Sequence, residues 1–210
     1  MMRRLNAQFL YLLLLLLSLL GLVSLQGCTN LQSSAPAPAN QPRSWDARAQ
    51  TLANLQQWDL TGMVAIRNPK DNISASLHWQ QQQQNYTLDF FGPLGSNSFK
   101  LTGNAGKVSL QNPHGQIFYA ASPEILLAQQ TGWRLPVSNL FYWIRGLPVP
   151  EVLALKQFDS YHHLTELQQD GWKIQFLRYT AVNQIDLPNK IFITSHDLSV
   201  KIIISQWRLG

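Results

Sequence analysis

From residue 58 onward apolar side chains recur at every second position. Trp58, Leu60, Val64 and Ile66, with Gly62 in step, alternate with more polar neighbours, which is the period of a strand with one buried face. After a turn at Asn68 to Asn72, a second run sets Ile73, Ala75, Leu77 and Trp79 against Ser74, Ser76, His78 and Gln80. Tyr86, Leu88 and Phe90 mark a third strand, Phe99 and Leu101 a fourth, Val108 and Leu110 a fifth, and residues 115–120 a sixth. The connections are short: a polar hairpin end at Gln80 to Gln84, the turn Gly92-Pro93-Leu94-Gly95, and Asn104-Ala105-Gly106. Short strands joined this way read as an antiparallel meander.

The period lengthens to 3.6 in three places. Trp45, Ala49, Leu52, Ala53 and Leu55 predict a helix over 45–57 with Ser44 as its N-cap. Ser122-Pro123-Glu124 opens a second helix through Ile125, Leu126, Ala128 and Gln129 that stops at Gly132. A third runs from Pro136 through Leu140, Phe141, Ile144 and Arg145 to Gly146. Strands resume at 156–158, 164–168, 172–180, 190–194 and 200–207.

The fold class is therefore mainly β (α+β): a long antiparallel sheet with an N-terminal helix and a central helical pair. Such a sheet closes on itself, or stays open with its apolar face covered by the helices. Helices inserted mid-chain favour the second arrangement, an incomplete antiparallel β-barrel with helices capping a hydrophobic cavity; a packed core without a cavity is the alternative. Strand parity nominates Trp58, Leu60, Val64, Ile66, Leu77, Trp79, Leu88, Phe90, Phe99 and Leu101 for the cavity face, with Leu126, Phe141 and Ile144 as a lid. Parity does not separate pocket from core.

A different apolar pattern precedes the domain. Arg3 and Arg4 are followed by a run from Phe9 to Leu25 without charge, ending in Leu25-Gln26-Gly27-Cys28. This is the layout of an export signal ending in a lipobox: residues 1–27 are a lipoprotein signal peptide, and Cys28, the one cysteine of the chain, becomes the acylated first residue. An uncleaved membrane anchor is the competing reading, since the run approaches the length of a spanning helix, and Gln26 is not the small or branched residue usual two before the cysteine. A lone cysteine in a secreted chain nonetheless needs an explanation, and acylation supplies one. Thr29 and Asn30 follow, with no Asp to signal inner-membrane retention, so sorting to the outer membrane is expected. Residues 28–44, with Ser33, Ser34, Pro36, Pro38 and Pro42, form a flexible tether. Residues 45–210 form one domain.

Charge narrows the partners. With Arg3 and Arg4 removed from 16 basic residues against 11 acidic ones, the mature balance is about +3, and the remaining positive charges are scattered. No clustered basic patch marks a nucleic-acid surface. Catalytic signatures are absent as well: the sequence holds no G-x-S-x-G, H-E-x-x-H, P-loop or dinucleotide fingerprint. The five histidines, His78, His114, His162, His163 and His196, are read as surface residues, and the adjoining pair as a poor metal site. Asp59 and Asp89 sit opposite the apolar set and are expected to be exposed and uncoupled. The Leu94 tip either folds back on its hairpin or projects as an exposed apolar point.

Trp58-Asp59-Leu60-Thr61-Gly62 with Val64 and Ala65, Ser76-Leu77-His78-Trp79, Gly92-Pro93-Leu94-Gly95-Ser96, and Trp143-Ile144-Arg145-Gly146-Leu147-Pro148 stand in this order behind a lipobox. In order and spacing the pattern resembles the LolB family of outer-membrane lipoprotein receptors over most of residues 45–210. The Gln-rich hairpin and Asn183 to Lys190 depart from it. The resemblance implies a non-enzymatic receptor on the periplasmic face of the outer membrane. Such a receptor takes acylated lipoproteins from a periplasmic carrier of the LolA type into its hydrophobic cavity and releases them into outer-membrane lipid. It also implies that Leu94, within Gly92, Pro93, Leu94 and Gly95, acts in release. No catalytic or metal-ligating residue and no cofactor beyond the covalent lipid on Cys28 are expected, nor is a nucleic-acid partner, and the chain is expected to be monomeric. Other classes compatible with the residues are an envelope scaffold or lipid-binding lipoprotein with a different ligand, and a lipid hydrolase using His78, His114 or His162.

Overall fold

The computed structural model describes residues 44–93, 98–104 and 106–210; the expected signal peptide, Cys28, nearly all of the tether, Leu94 and Gly95 lie outside them. Helix α1 (Trp45–Asn54) is followed by strands β1 (Gln57–Arg67), β2 (Asn72–Gln82), β3 (Asn85–Phe91), β4 (Phe99–Gly103), β5 (Val108–Gln111) and β6 (Ile117–Ala120). Helices α2 (Pro123–Thr131) and α3 (Val137–Trp143) come next. The chain ends with β7 (Ala154–Phe158), β8 (Leu164–Gln169), β9 (Trp172–Val182), β10 (Ile185–Thr194) and β11 (Ser199–Leu209).

All eleven strands form one antiparallel sheet in the order β6-β5-β4-β3-β2-β1-β11-β10-β9-β8-β7. It is two meanders joined where β1 pairs with β11, and β6 and β7 remain as its edges. The sheet is open and its inner face is covered by helices, as the mid-chain helical pair predicts.

Inner-face residues line up across the strands. Trp207, Leu60, Trp79, Leu88, Leu101, Leu110 and Phe118 are successive register partners from β11 to β6, and all but Phe118 are buried. This row packs with Leu126, Leu127, Leu140, Trp143 and Ile144 from the α2–α3 region in one hydrophobic core. Leu60, Leu101, Leu110, Leu126 and Ile144 retain no solvent contact, so this stretch of the inner face is filled core.

Two departures from simple alternation have local causes. Gly62 pairs with Ile204 although Thr61 pairs with Gln206, so Ser205 is the extra residue of a bulge, and its hydroxyl donates to the Thr61 carbonyl at 3.0 Å. The bulge switches the parity of β11, bringing Trp207 inward after Val200, Ile202 and Ile204. A Cβ at Gly62 would collide with the Ile203 carbonyl; only glycine fits there. The second irregularity lies in β10, whose register shifts after Pro188. Proline has no N–H for the ladder and is tolerated at such a break, so β10 extends to Ile185 rather than starting at Lys190.

The helices begin where expected; α2 also ends where expected, and α1 and α3 end earlier. The Ser44 hydroxyl accepts from Ala47 N–H at 3.3 Å, but α1 stops at Asn54 because Leu55 turns extended. Helix α2 has Ser122 as its cap and left-handed Gly132 at its end. Helix α3 stops at Trp143 rather than continuing to Gly146.

Candidate functional site

The space left between sheet and helices lies at the two ends of α2, on either side of the filled core. At its C-terminal end a cavity of about 230 Å³ is walled by Val64, Ile66, Ile73, Phe90 and Phe99 from the sheet, Thr131 at the end of α2, Trp133 just beyond it, and Gly92 with Pro93. Its lining is almost entirely apolar. At the N-terminal end a cavity of about 390 Å³ lies among Trp79, Tyr86, Pro123, Val137, Phe141 and Tyr142, with Gln81, Gln83, Gln84, Asn104 and Ser138 supplying amides and a hydroxyl.

The nominated cavity residues thus divide. Val64, Ile66, Phe90 and Phe99 wall the apolar cavity, and Trp79 and Phe141 the amphipathic one. Leu60, Leu77, Leu88, Leu101, Leu126 and Ile144 are buried core side chains that line neither cavity. Trp58 is buried against Phe141, Trp79 and Trp207 with ring centroids 5.1, 6.2 and 6.5 Å away. Of the turn, Gly92 and Pro93 stand at the rim of the apolar cavity.

Arg145 holds the helical cover together. Its guanidinium is buried, donates to the carbonyls of Leu52 and Leu55 at 2.9 and 2.8 Å and to Phe141 at 3.0 Å, and lies 4.2 Å from the Phe141 ring centroid. It therefore caps the C-terminal end of α1, where unpaired carbonyls collect negative potential, from the end of α3. Burial pushes its pKa down to about 10, and the group remains charged at neutral pH. Gln169 on β8 secures the other side, accepting from the Trp143 indole at 3.2 Å and donating to the Val149 and Val152 carbonyls at 2.9 Å each.

The histidine and aspartate expectations need correction. His163 is buried: Nδ1 lies 2.9 Å from Asp159 and Nε2 3.1 Å from Asp186, and the ring stacks on Tyr179 at 4.4 Å. Asp186 is buried too, and its carbonyl accepts from the Arg48 guanidinium of α1. Burial pushes the Arg48 pKa down and the Tyr179 hydroxyl well up. No sequence spacing brings residues 48, 163 and 186 together; the only available signal was an arginine on the otherwise apolar stripe of α1.

On the outer face, Asp59 and Asp89 are one-quarter and one-sixth exposed, and they are coupled. His78 Nε2 meets Asp59 at 2.9 Å and Nδ1 faces Asp89 at 4.0 Å, with Lys100 and Arg208 completing the row. Burial raises the Asp59 pKa, but hydrogen bonds from His78 and Gln80 outweigh it and hold the carboxyl below its ordinary range. The register explains the pairing, since Asp59, Gln80 and Thr87 are successive partners, as are Thr61, His78, Asp89 and Lys100. His114, His162 and His196 are exposed. Among the described residues no group of three or more His, Cys, Asp or Glu is arranged to hold a metal ion.

Comparison with known proteins gives this geometry its family. Residues 56–207 match the family described as outer membrane lipoprotein LolB. The outer-membrane lipoprotein LolB of Pseudomonas paraeruginosa is 39% identical over 195 residues, covering 92% of this chain and 95% of the relative. That of Coxiella burnetii is 38% identical over 190 residues, covering 90% of each. Among solved structures, a LolA superfamily protein from Nitrosomonas europaea superposes with a TM-score of 0.55 at 8% identity, over 82% of this chain and 94% of that one. A DUF1329 family protein from Desulfovibrio piger gives 0.55 at 9% identity, over 79% and 91%. The structural likeness at such identity is one of fold: an open antiparallel sheet covered by helices. The sequence likeness goes further and locates the protein, lipid-anchored, at the outer membrane. With a family match across most of the domain and relatives aligned over nearly their whole length, the chain belongs to the LolB family of outer-membrane lipoproteins.

Proposed function

We propose that this lipoprotein-localisation protein is a non-enzymatic receiver. It accepts acylated lipoproteins from a periplasmic carrier of the LolA type, holds their acyl chains between sheet and helices, and releases them into the outer membrane, with Cys28 as its own acylated anchor. The observation that supports this reading is the apolar cavity of about 230 Å³ at the rim formed by Gly92 and Pro93, the residues that lead into Leu94. An acyl chain of about 15 methylenes, at about 0.8 kcal/mol per methylene, costs on the order of 12 kcal/mol to expose to water. Diffusion of multiply acylated cargo through an aqueous compartment is then negligible without a shield at both ends. Transfer toward a better apolar environment runs downhill and requires no nucleotide in the receiver.

The test is transfer of a radiolabelled acylated lipoprotein from its purified carrier to this domain, made soluble by starting at Thr29, followed by addition of liposomes. ATP-independent transfer and release are expected. No transfer to a demonstrably folded domain would overturn the reading in favour of an envelope scaffold. Within the same assay, Leu94→Glu is expected to leave folding and uptake intact while reducing release to liposomes at least about tenfold, because a charged tip resists entry into hydrocarbon. Unchanged release would deny the tip this role.

A further inference from the structure

One cross-strand row of the inner face is unlike the others. Trp58, Gln81, Tyr86 and Gly103 are successive partners across β1, β2, β3 and β4, on the row beyond Leu60, Trp79, Leu88 and Leu101. Where the neighbouring row carries a single polar atom, the Trp79 indole N–H, and that one is paired, this one carries an indole N–H, an amide and a phenol. Gln81 is satisfied: it accepts from the Trp79 indole at 2.9 Å and donates to the Gln83 carbonyl at 2.6 Å. Trp58 Nε1 and Tyr86 Oη are not. Both atoms are buried, and neither has a hydrogen-bond partner among the described residues. Trp58 is itself only 3% exposed.

A buried polar atom without a partner costs about 1–3 kcal/mol, and two on one row are two such costs at one place. Gly103 makes room for the arrangement, since a Cβ there would collide with the end of the Tyr86 ring. The amphipathic cavity of about 390 Å³ is lined by Gln81 and Tyr86 of this row, and by Trp79 and Phe141, two of the three rings against which Trp58 packs. Both unpartnered atoms can donate. The site therefore calls for a ligand group that accepts hydrogen bonds and is attached to apolar chains.

We propose that this end of the inner face is a carbonyl-binding subsite, in which the Tyr86 hydroxyl and the Trp58 indole N–H donate to ester or amide carbonyls at the junction between acyl chains and polypeptide. The proposal rests on the reading of acylated cargo above and adds a polar contact to it. The acceptor is neutral rather than anionic. Glu124, whose carboxylate accepts from Ser138 N–H at 2.8 Å beside this cavity, disfavours a second negative charge. Burial, followed by the charge of Glu124, pushes the Tyr86 pKa up to about 12, so the phenol keeps its proton. A fatty-acid carboxylate or a phosphate is the wrong ligand, and an ester or peptide carbonyl the right one.

The experiment compares wild type with Tyr86→Phe for three probes with matched hydrocarbon chains, read by equilibrium binding. The probes are a diacylglycerol, which has ester carbonyls; a dialkylglyceryl-cysteine peptide, which has only amide carbonyls; and a dialkylglycerol, which has neither. Tyr86→Phe is expected to weaken one or both carbonyl-bearing probes about three- to tenfold and to leave the dialkylglycerol unchanged. Loss confined to the diacylglycerol assigns the acceptor to the ester, and loss confined to the peptide assigns it to the amide. Thermal stability of the variant is expected to be equal or higher, because the deleted hydroxyl has no partner to lose. Equal affinity for all probes in both proteins, or an equal loss for all three, overturns the subsite. Failure of wild type to bind even the dialkylglycerol would instead overturn the acyl-binding reading beneath it.

Discussion

His163 sits where three distant segments meet, and its surroundings set what its removal would cost. Its two nitrogens face Asp159 at 2.9 Å and Asp186 at 3.1 Å, one face is stacked on Tyr179, and the Arg48 guanidinium lies 5.3 Å from that same tyrosine ring. His163→Ala leaves the Asp186 carboxylate buried without its partner, and breaking a buried pair from one side costs about 3–5 kcal/mol. A fall in unfolding free energy of about 3 kcal/mol is expected in urea denaturation. In an Asp186→Asn background the same change is expected to cost clearly less, since no charge is then stranded. A cost within about 0.5 kcal/mol of zero for His163→Ala alone would show that the cluster is not coupled. Sequence reading placed this residue on the surface because a histidine between polar neighbours in a turn carries no local sign of burial. What covers it is the stacked ring of Tyr179 from β9 and the carboxylate of Asp186 from β10, contacts that no local pattern announces. The opposite case is Gly62: its step in the apolar alternation was visible, but its reason, the Ile203 carbonyl pressed against it at a bulge, belongs to the partner strand.

At the scale of elements, α2 and α3 are clasped through one carboxylate. Burial raises the Glu124 pKa, but hydrogen bonds from the Ser138 N–H, its own N–H and the Ser122 and Ser138 hydroxyls together hold it below the ordinary 4.5. A carboxyl depressed in the folded state stabilises that state above its unfolded pKa, and the contribution disappears as pH falls through the lower, folded value. Between neutral pH and about 4.5 the clasp is therefore fully present, and below that it weakens. The acid limb of a stability profile is expected to shallow in Glu124→Gln, with the two proteins converging at the lowest pH. Parallel profiles would mean that Glu124 does not link the helices. The caps of these helices were legible, because Ser122-Pro123-Glu124 and Gly132 are punctuation marks with a local mechanism. Strands β1 to β3 were legible for the same reason, since their period of two survives along each strand. The true start of β10 was hidden by Pro188, and the inward turn of Trp207 by the bulge at Ser205; neither break is encoded in the alternation itself.

For the molecule as a whole, the proposed receiver role raises the question of how an inner face already filled by its own side chains would take up hydrocarbon. Ligand pockets for drug-sized molecules run to about 300–1,000 Å³, whereas the cavities under the two ends of α2 measure about 230 and 390 Å³, with Leu101, Leu110, Leu126 and Ile144 closing the space between them. On that proposal, several acyl chains would require the helical cover to move away from the sheet. Beyond the apolar packing of the helices on the sheet, the polar contacts that would have to yield include Arg145 to the carbonyls of α1, Gln169 to Trp143, and the exposed contact at 3.5 Å between Asn139 on α3 and Asp170 in the β8–β9 turn. The last of these offers a handle, since both side chains are at the surface and neither lines the cavities. Cysteines in their place, Asn139→Cys with Asp170→Cys, in the domain beginning at Thr29 and so free of Cys28, can be joined by a short thiol-specific cross-linker. If the helices lift as a cover, joining them to the sheet is expected to reduce acyl-chain uptake at least about tenfold, while each single cysteine treated with the same reagent binds as wild type. Resistance to thermal unfolding should rise in the cross-linked species, which separates a locked cover from a damaged one. Undiminished uptake with the bridge in place would mean that α3 stays seated and that the sheet opens elsewhere, with the β4–β6 edge then the element to restrain.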